Sequence, residues 1–517
     1  MLSHFNDLPL YDIAVIGGGI NGVGIANDAA GRGLSVFLCE KDDFASHTSS
    51  ASSKLIHGGL RYLEHFEFRL VREALAEREV LMAKAPHIIR PLRFVLPHRP
   101  HLRSAWLIRS GLFLYDYLGK REKLPASKRL VLDQRSPLKQ DIVLGFEYSD
   151  CAVDDARLVI LNAMQAREKG AELVTRTECV AAEVIDGTWL LTLKQQQTQY
   201  QIRAKALVNA AGPWVERFLK DTLKLDSPYK IRHIQGSHLI IPKLYEGDYA
   251  YILQNEDRRI VFTIPYLDEY TLIGTTDRIY QGDLQQVAIT QDEIEYLLTV
   301  VNLHFERTIT QADIIETYSG VRPLCDDESD QPSAVTRDYT LAMTMLNETV
   351  PLLSVFGGKL TTYRKLAESA LDELTPFFPE LQTAWTEYEP LPGGEYFKSL
   401  DGLIRGIQLR IKHIPIEIAT RWASSYGTRV WQLLREVYTL EDFGIYFGHG
   451  LYQLEVDYLT KVEWAQSVDD ILWRRSKLGL KFGKADMTLL DDYLQSVLGH
   501  QHSKIACLLY TSDAADE

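Results

Sequence analysis

Three glycines and one acid open the chemistry of this chain. In "IAVIGGGINGVGIANDAAGRGLSVFLCE" an apolar run, Ile13 to Ile16, breaks into Gly17-x-Gly19-x-x-Gly22. It resumes as an alanine-rich helix and returns as a second apolar run, Val36 to Leu38, ending at Glu40. The spacing predicts a strand–helix–strand unit that holds a dinucleotide. Gly17 permits the tight turn, Gly19 lets backbone approach a pyrophosphate, and Gly22 brings helix and strand together. The helix start offers unpaired N–H groups and partial positive charge to that phosphate. Glu40 can accept hydrogen bonds from a ribose diol, and its charge disfavours the 2′-phosphate of NADP.

After Glu40 the pattern changes. "HTSSASSKLIHGGLRY", His47 to Tyr62, stands where the next strand–helix unit of a full NAD domain belongs. Ser49, Ser50, Ser52 and Ser53 could donate hydroxyl hydrogen bonds to a pyrophosphate and ribityl chain, and Gly58-Gly59 could let a flat ring lie against backbone. A solvated loop capping the next helix would use the same residues. Two later junctions favour FAD. In "KALVNAAGPWVERF" a strand at Ala206–Val208 runs into Ala210-Ala211-Gly212 and a helix. In "PLLSVFGGKLTTYRKLAESA" a strand meets Gly357-Gly358 and Lys359, with a helix expected from about Thr361 that could stabilise negative charge on a reduced flavin. The three junctions together describe one discontinuous cofactor domain.

The elements that must position these residues are readable in outline. Asp186-Gly187 in "EVIDGTWLLTL" predicts a hairpin, and "SHLIIP", "AYIL", "RIVFTIPY" and "YTLIGTTD" predict an antiparallel sheet roofing the cofactor. From about Leu391 apolar residues recur at helical spacing (Leu451, Leu454, Tyr458, Val462, Ala465, Val468), predicting a small helical domain for packing or oligomer contact. "GLKFGKA" falls short of a phosphate loop, and no zinc-ligand spacing occurs. At 517 residues two or three domains are expected, with 46% hydrophobic residues marking an ordinary folded chain. The net charge of −14 argues against general nucleic-acid binding. The five scattered cysteines fit a reducing compartment without a metal cage. Lacking a signal-like start or a spanning apolar run, the chain is expected in the cytoplasm or on a cytoplasmic membrane face. "CLLYTSDAADE", Cys507 to Glu517, looks like a translated sequencing adaptor and is assigned no function.

Residues 93–129 carry nine Lys or Arg against two acids, Asp116 and Glu122, in an otherwise acidic chain. Trp106, Leu107, Ile108, Leu112, Phe113, Leu114, Tyr115, Tyr117 and Leu118 are interleaved, as in a helix lying in a membrane interface. An amphipathic helix packed on the body, its cations solvated, has the same composition.

"SSASSKLIHGGLRYLE", "FEYSDCAVDDARLV", "GSHLIIP", "YSGVRPLCDDESDQPSAVTRDY" and "FGGKLTTYRKLAESA", with the glycine signature, resemble the aerobic, FAD-dependent, membrane-associated glycerol-3-phosphate dehydrogenases, in order, from Tyr11 to about residue 500. The resemblance implies an α/β fold: a glutathione-reductase-like FAD domain (10–60, 150–215, 350–376), an inserted antiparallel-sheet substrate domain (61–149, 216–349) and a C-terminal helical domain (388–506). It implies oxidation of sn-glycerol 3-phosphate to dihydroxyacetone phosphate, with electrons passing to quinone at the inner face of the cell membrane. The oligomeric state is left open, a homodimer among the options. The serine stretch, with Lys54, His57 and Gly59, would wrap FAD, and Arg61, Tyr62, His238, Arg322, Arg337 and Lys359 would line the pocket. His238 is the expected base, His57 and His233 in reserve; a packed strand histidine is the plain alternative. Arg322 and Arg337 would grip the phosphate, and Lys359 would stabilise phosphate or reduced flavin. The rivals are a soluble oxidase using O2, an FAD amine oxidase, and a flavin-binding membrane scaffold without turnover.

Overall fold

In the computed structural model, residues 5–60, 63, 66–119, 121–257, 259–325 and 338–512 are described, with side chains through residue 499. Arg61, Tyr62 and Arg337 lie outside them. The chain divides into two units, Met1–Leu391 and Pro392–Glu517.

The first unit holds two sheets. In the first, strand Leu10–Ile16 pairs in parallel with Val36–Cys39 on one side and Thr198–Asn209 on the other, Ile13 standing beside Val36 and Ala206. Val350–Gly357 adds in parallel beyond Thr198–Asn209. Val36–Cys39 and Val350–Gly357 are buried at every position, and Leu10–Ile16 and Thr198–Asn209 over their last four residues, as expected of parallel strands covered on both faces. Helix Ile20–Gly31 is buried along most of its length; Asn27 donates to Asn162 and Gln165 on helix Asp155–Glu168. The expected hairpin turns at Asp186-Gly187, both with positive φ.

The second sheet has ten strands and is antiparallel except where Tyr249–Gln254 meets Ile89–Pro97. The predicted strands are present, and Ile89–Pro97 and Leu144–Val153 extend the sheet. Helix Gln291–His304 covers one face, its Leu297, Val300 and Val301 packing with Leu239, Ile241 and Ile273. Two expected boundaries move. Tyr339–Leu346, placed with the substrate sheet by sequence, pairs with Val350–Gly357 in the first sheet, turning through Asn347-Glu348 in a positive-φ conformation that no glycine announces. Leu55–Ile56 joins the second sheet instead of the first.

The second unit packs helices Leu400–Arg410, Ile416–Tyr426 and Gln453–Val462 around Trp422, Phe443, Leu459 and Ile471. A helix over Lys484–Ser512 runs into the adaptor-like ending, whose residues 513–517 fall outside the described part.

Candidate flavin and substrate site

The first turn closes only on glycine. An added Cβ at Gly22 would stand 1.9 Å from the Gly17 carbonyl oxygen, and one at Gly17, where φ is +114°, would stand 2.5 Å from the Ala210 oxygen. Glu40 is buried and receives the Gly18 amide at 2.7 Å and the Asp42 amide at 2.8 Å. Burial raises its carboxyl, and the two amides oppose that shift. Glu40, Asp42 and His47 form the one cluster with metal-ligand spacing among the described residues. Its bonds are internal to the turn, His47 Nε2 lying 2.7 Å from Asp42.

A cavity of about 500 Å³ runs from this turn to the second sheet. It is lined by Gly17, Gly19, Glu40, Ser49, Ser53 and His57, and by Ala210, Gly212, His238, Arg322, Gly358, Lys359 and Thr361. The fold brings these together from six separate segments of the sequence. Other candidates stand elsewhere. Gly22 lies behind the turn. Ser50 is absent from the lining, and its hydroxyl donates back to the His47 carbonyl. Lys54 also is absent; its ammonium bonds both oxygens of Asp155 at 3.0 Å, a buried pair that fixes the serine loop to helix Asp155–Glu168. Gly59 is buried outside the lining, and the Gly58 amide donates to the Tyr115 hydroxyl at 2.8 Å. His233 sits off the cavity, its Nε2 3.0 Å from the Pro213 carbonyl. The last helix starts at Tyr363 with Thr362 as its cap, two residues later than predicted.

The serine loop is built into the protein as well as facing the cavity. Ser49 Oγ accepts the Ile20 amide at 3.0 Å, and the Thr48 hydroxyl donates to the Val321 carbonyl at 2.7 Å. Residues missed by sequence reasoning complete the cradle. Asn21 donates to the Gly357 carbonyl at 3.1 Å, tying the first junction to the third; its position between Gly19 and Gly22 was the available signal. Ser46 Oγ and Asn21 Oδ1 are buried without hydrogen-bond partners among the described residues, and both residues line the cavity. Spare polar atoms beside a glycine cradle fit FAD.

His238 lies on strand Ile231–Pro242, opposite Gly274, where any Cβ would stand 2.0 Å from its ring. Its ring stacks on Tyr318 at 4.6 Å, Nε2 is 2.9 Å from Ser53 Oγ, and Nδ1 is buried with no hydrogen-bond partner among the described residues. Burial pushes its pKa down to about 3, helped by Lys54 and Arg322, so the ring is neutral at ordinary pH. Arg322, on Glu316–Cys325, donates to the Thr276 carbonyl at 2.9 Å and to Asp277 at 2.7 Å. A neutral imidazole, a guanidinium and an ammonium at one cavity can take a proton and hold an anion.

Residues 12–364 match the model of the FAD dependent oxidoreductases, and residues 384–499 match the C-terminal domain of alpha-glycerophosphate oxidase. The glycerol-3-phosphate dehydrogenase of Pseudomonas aeruginosa is 66% identical over 96% of this chain and 98% of its own. The aerobic glycerol-3-phosphate dehydrogenase of Escherichia coli is 55% identical over 91% and 94%. The crystal structure of glycerol-3-phosphate dehydrogenase from Bacillus halodurans, complexed with FAD, superposes with a TM-score of 0.72 at 25% identity, covering 98% of this chain and 93% of that one. With the glycine cradle, the polar cavity and this likeness over nearly its whole length, the chain belongs to the FAD-dependent oxidoreductases and, among them, to the glycerol-3-phosphate dehydrogenases.

Proposed function

We propose that this enzyme oxidises sn-glycerol 3-phosphate to dihydroxyacetone phosphate and passes the electrons to a quinone while lying on the cytoplasmic face of a membrane. The observation that carries the chemistry is the meeting of His238, Arg322 and Lys359 at one cavity with Glu40 and the glycine turn. FAD, when bound, supplies the acceptor for the hydride that leaves the carbinol carbon. Arg322 and Lys359 hold the substrate phosphate, with Asp277 and the Thr276 carbonyl orienting the guanidinium. His238, its Nε2 held by Ser53, takes the hydroxyl proton as the hydride departs with its electron pair. Burial is the main cause of the lowered pKa of His238, with Lys54 and Arg322 adding to it; the phosphate dianion offsets those two cations and so strengthens the base once substrate is bound. His57, also on the lining, is the second candidate. Anaerobic addition of glycerol 3-phosphate should bleach the flavin, and His238→Ala should slow that step by at least about a hundredfold. Bleaching at an undiminished rate moves the base to another residue.

Helix Ala105–Leu118 supports the membrane reading. Ile108, Leu112 and Tyr115 face the protein, whereas Trp106, Phe113 and Tyr117 are 71%, 60% and 72% exposed. The basic field is weaker than the sequence suggested, because acids from beyond the segment pair with it: Glu147 takes Arg93 and Lys128, and Asp141 takes Arg99. Apolar insertion therefore carries more of the binding than charge. No helix among the described residues is long and apolar enough to span a bilayer. Flotation with anionic vesicles should be lost when Trp106, Phe113 and Tyr117 are changed together to serine. Rapid peroxide formation in air, without quinone reductase activity, would favour the oxidase reading.

A further inference from the structure

Behind Arg322 and His238 lies a buried carboxylate that the mechanism above leaves unused. Glu293 stands in the first turn of helix Gln291–His304 and is 6% exposed. Its Oε1 accepts from the Thr276 hydroxyl at 2.5 Å and the Ser237 hydroxyl at 2.9 Å. Its Oε2 accepts from Gln235 Nε2 at 3.1 Å and from the amide and hydroxyl of Thr290, each at 3.0 Å. Capping the helix accounts for the two bonds from Thr290. The other three come from segments that carry the site.

Each of those segments bears on Arg322. Thr276 presents its carbonyl to Arg322 Nη2 at 2.9 Å, and the next residue, Asp277, takes the same nitrogen at 2.7 Å. The Thr276 hydroxyl also accepts the Ser237 amide at 3.0 Å, locking this loop to the strand of His238. Ser237 Oγ lies 2.9 Å from Ser319 Oγ, on the strand of Arg322. The guanidinium has little slack, since a Cβ at Gly236 would stand 2.9 Å from its Nη2. A carboxylate suits this hub because it only accepts. An amide would either turn an N–H toward the donors of Gln235 and Thr290 or leave two buried hydroxyls without their acceptor.

We propose that Glu293 is a positioning residue for phosphate recognition: through Thr276 and Asp277 it sets where the Arg322 guanidinium stands. This rests on the assignment of Arg322 to the substrate phosphate. The test compares FAD-loaded Glu293→Gln and Thr276→Val, each alone and combined with Arg322→Lys. The measurements are KM and kcat for glycerol 3-phosphate and competition by inorganic phosphate. Each single variant should raise KM and the phosphate inhibition constant about tenfold, keep kcat within about threefold and retain its flavin. In the Arg322→Lys background the added increment should vanish, since coupled residues are not additive. Increments that persist unchanged there, or a fall in kcat with KM untouched, would overturn the proposal. Arg322→Lys with an unchanged KM would overturn the phosphate assignment and this inference with it. Arg322→Lys with a raised KM, beside unchanged Glu293→Gln and Thr276→Val, would overturn this inference alone. Should Glu293→Gln fail to fold, Thr276→Val decides, because it removes one hydroxyl and leaves the carboxylate in place.

Discussion

The neutral state of His238 has a consequence for acid stability that can be worked through. In the unfolded chain a histidine titrates near about 6.5, whereas burial holds His238 at about 3 in the fold. Between those values the unfolded state binds a proton that the native state refuses. The stabilisation is therefore full above pH 6.5 and is lost as the pH falls. Going from pH 7 to pH 5 costs about 2 kcal/mol for this one group by linkage. His87, buried and also held at about 3, adds a loss of similar size. Replacing His238 with Asn removes its proton while leaving a polar side chain beside Ser53. Urea titrations followed by tryptophan fluorescence at pH 7 and pH 5 should show the variant losing about 2 kcal/mol less than the parent. Raised carboxyls such as Asp28 and Glu77 act in the opposite sense but are common to both proteins, so they cancel in the comparison. Equal losses in parent and variant would refute the account of His238 as a buried neutral ring. The same reasoning predicts that kcat/KM, which reports the free enzyme, shows no acid limb near pH 6.5 from this residue.

Other consequences are open to simpler measurements. Gly22→Ala puts a methyl 1.9 Å from a backbone oxygen that cannot move without opening the turn; the purified protein should carry well under one flavin per chain by its visible spectrum, and full loading would count against the cradle. Lys54→Met takes the cation from the buried carboxylate of Asp155, which keeps its bonds from Ser52 and the Ala156 amide, and should cost about 3 kcal/mol in urea unfolding; a change under about 1 kcal/mol would show that the pair contributes little. Tyr115→Phe removes the hydroxyl that receives the Gly58 amide and donates to Asp150. It should lower thermal stability by about 1–3 kcal/mol, and an unchanged melting temperature would contradict that network.

What the amino-acid order alone determined here was local. Gly17, Gly19, Gly22 and Glu40 were legible because their roles follow from steric contacts within one turn, one helix and two short strands, and spacing along the chain carries that geometry directly. Gly358 and Lys359 were legible for the same reason, standing at the end of one buried strand, and the Asp186-Gly187 hairpin because its backbone needs positive φ. The family likeness then pointed to His238 and Arg322, which no spacing rule marked and which the fold places on the cavity.

Only the tertiary structure decided which charges and hydroxyls meet. Lys54 reads as a cofactor cation until Asp155, 101 residues on, is brought against it. Ser50 looks equivalent to its neighbours until the short helical turn Thr48–Ser50 directs its hydroxyl to His47. The basic stretch looks stronger than it is because Asp141 and Glu147 lie beyond its end, and Glu293 carries no local mark except as a helix cap. A hydrogen bond or ion pair is set by approach in space over a few ångströms, and sequence separation does not encode that approach until the sheets have placed their strands side by side.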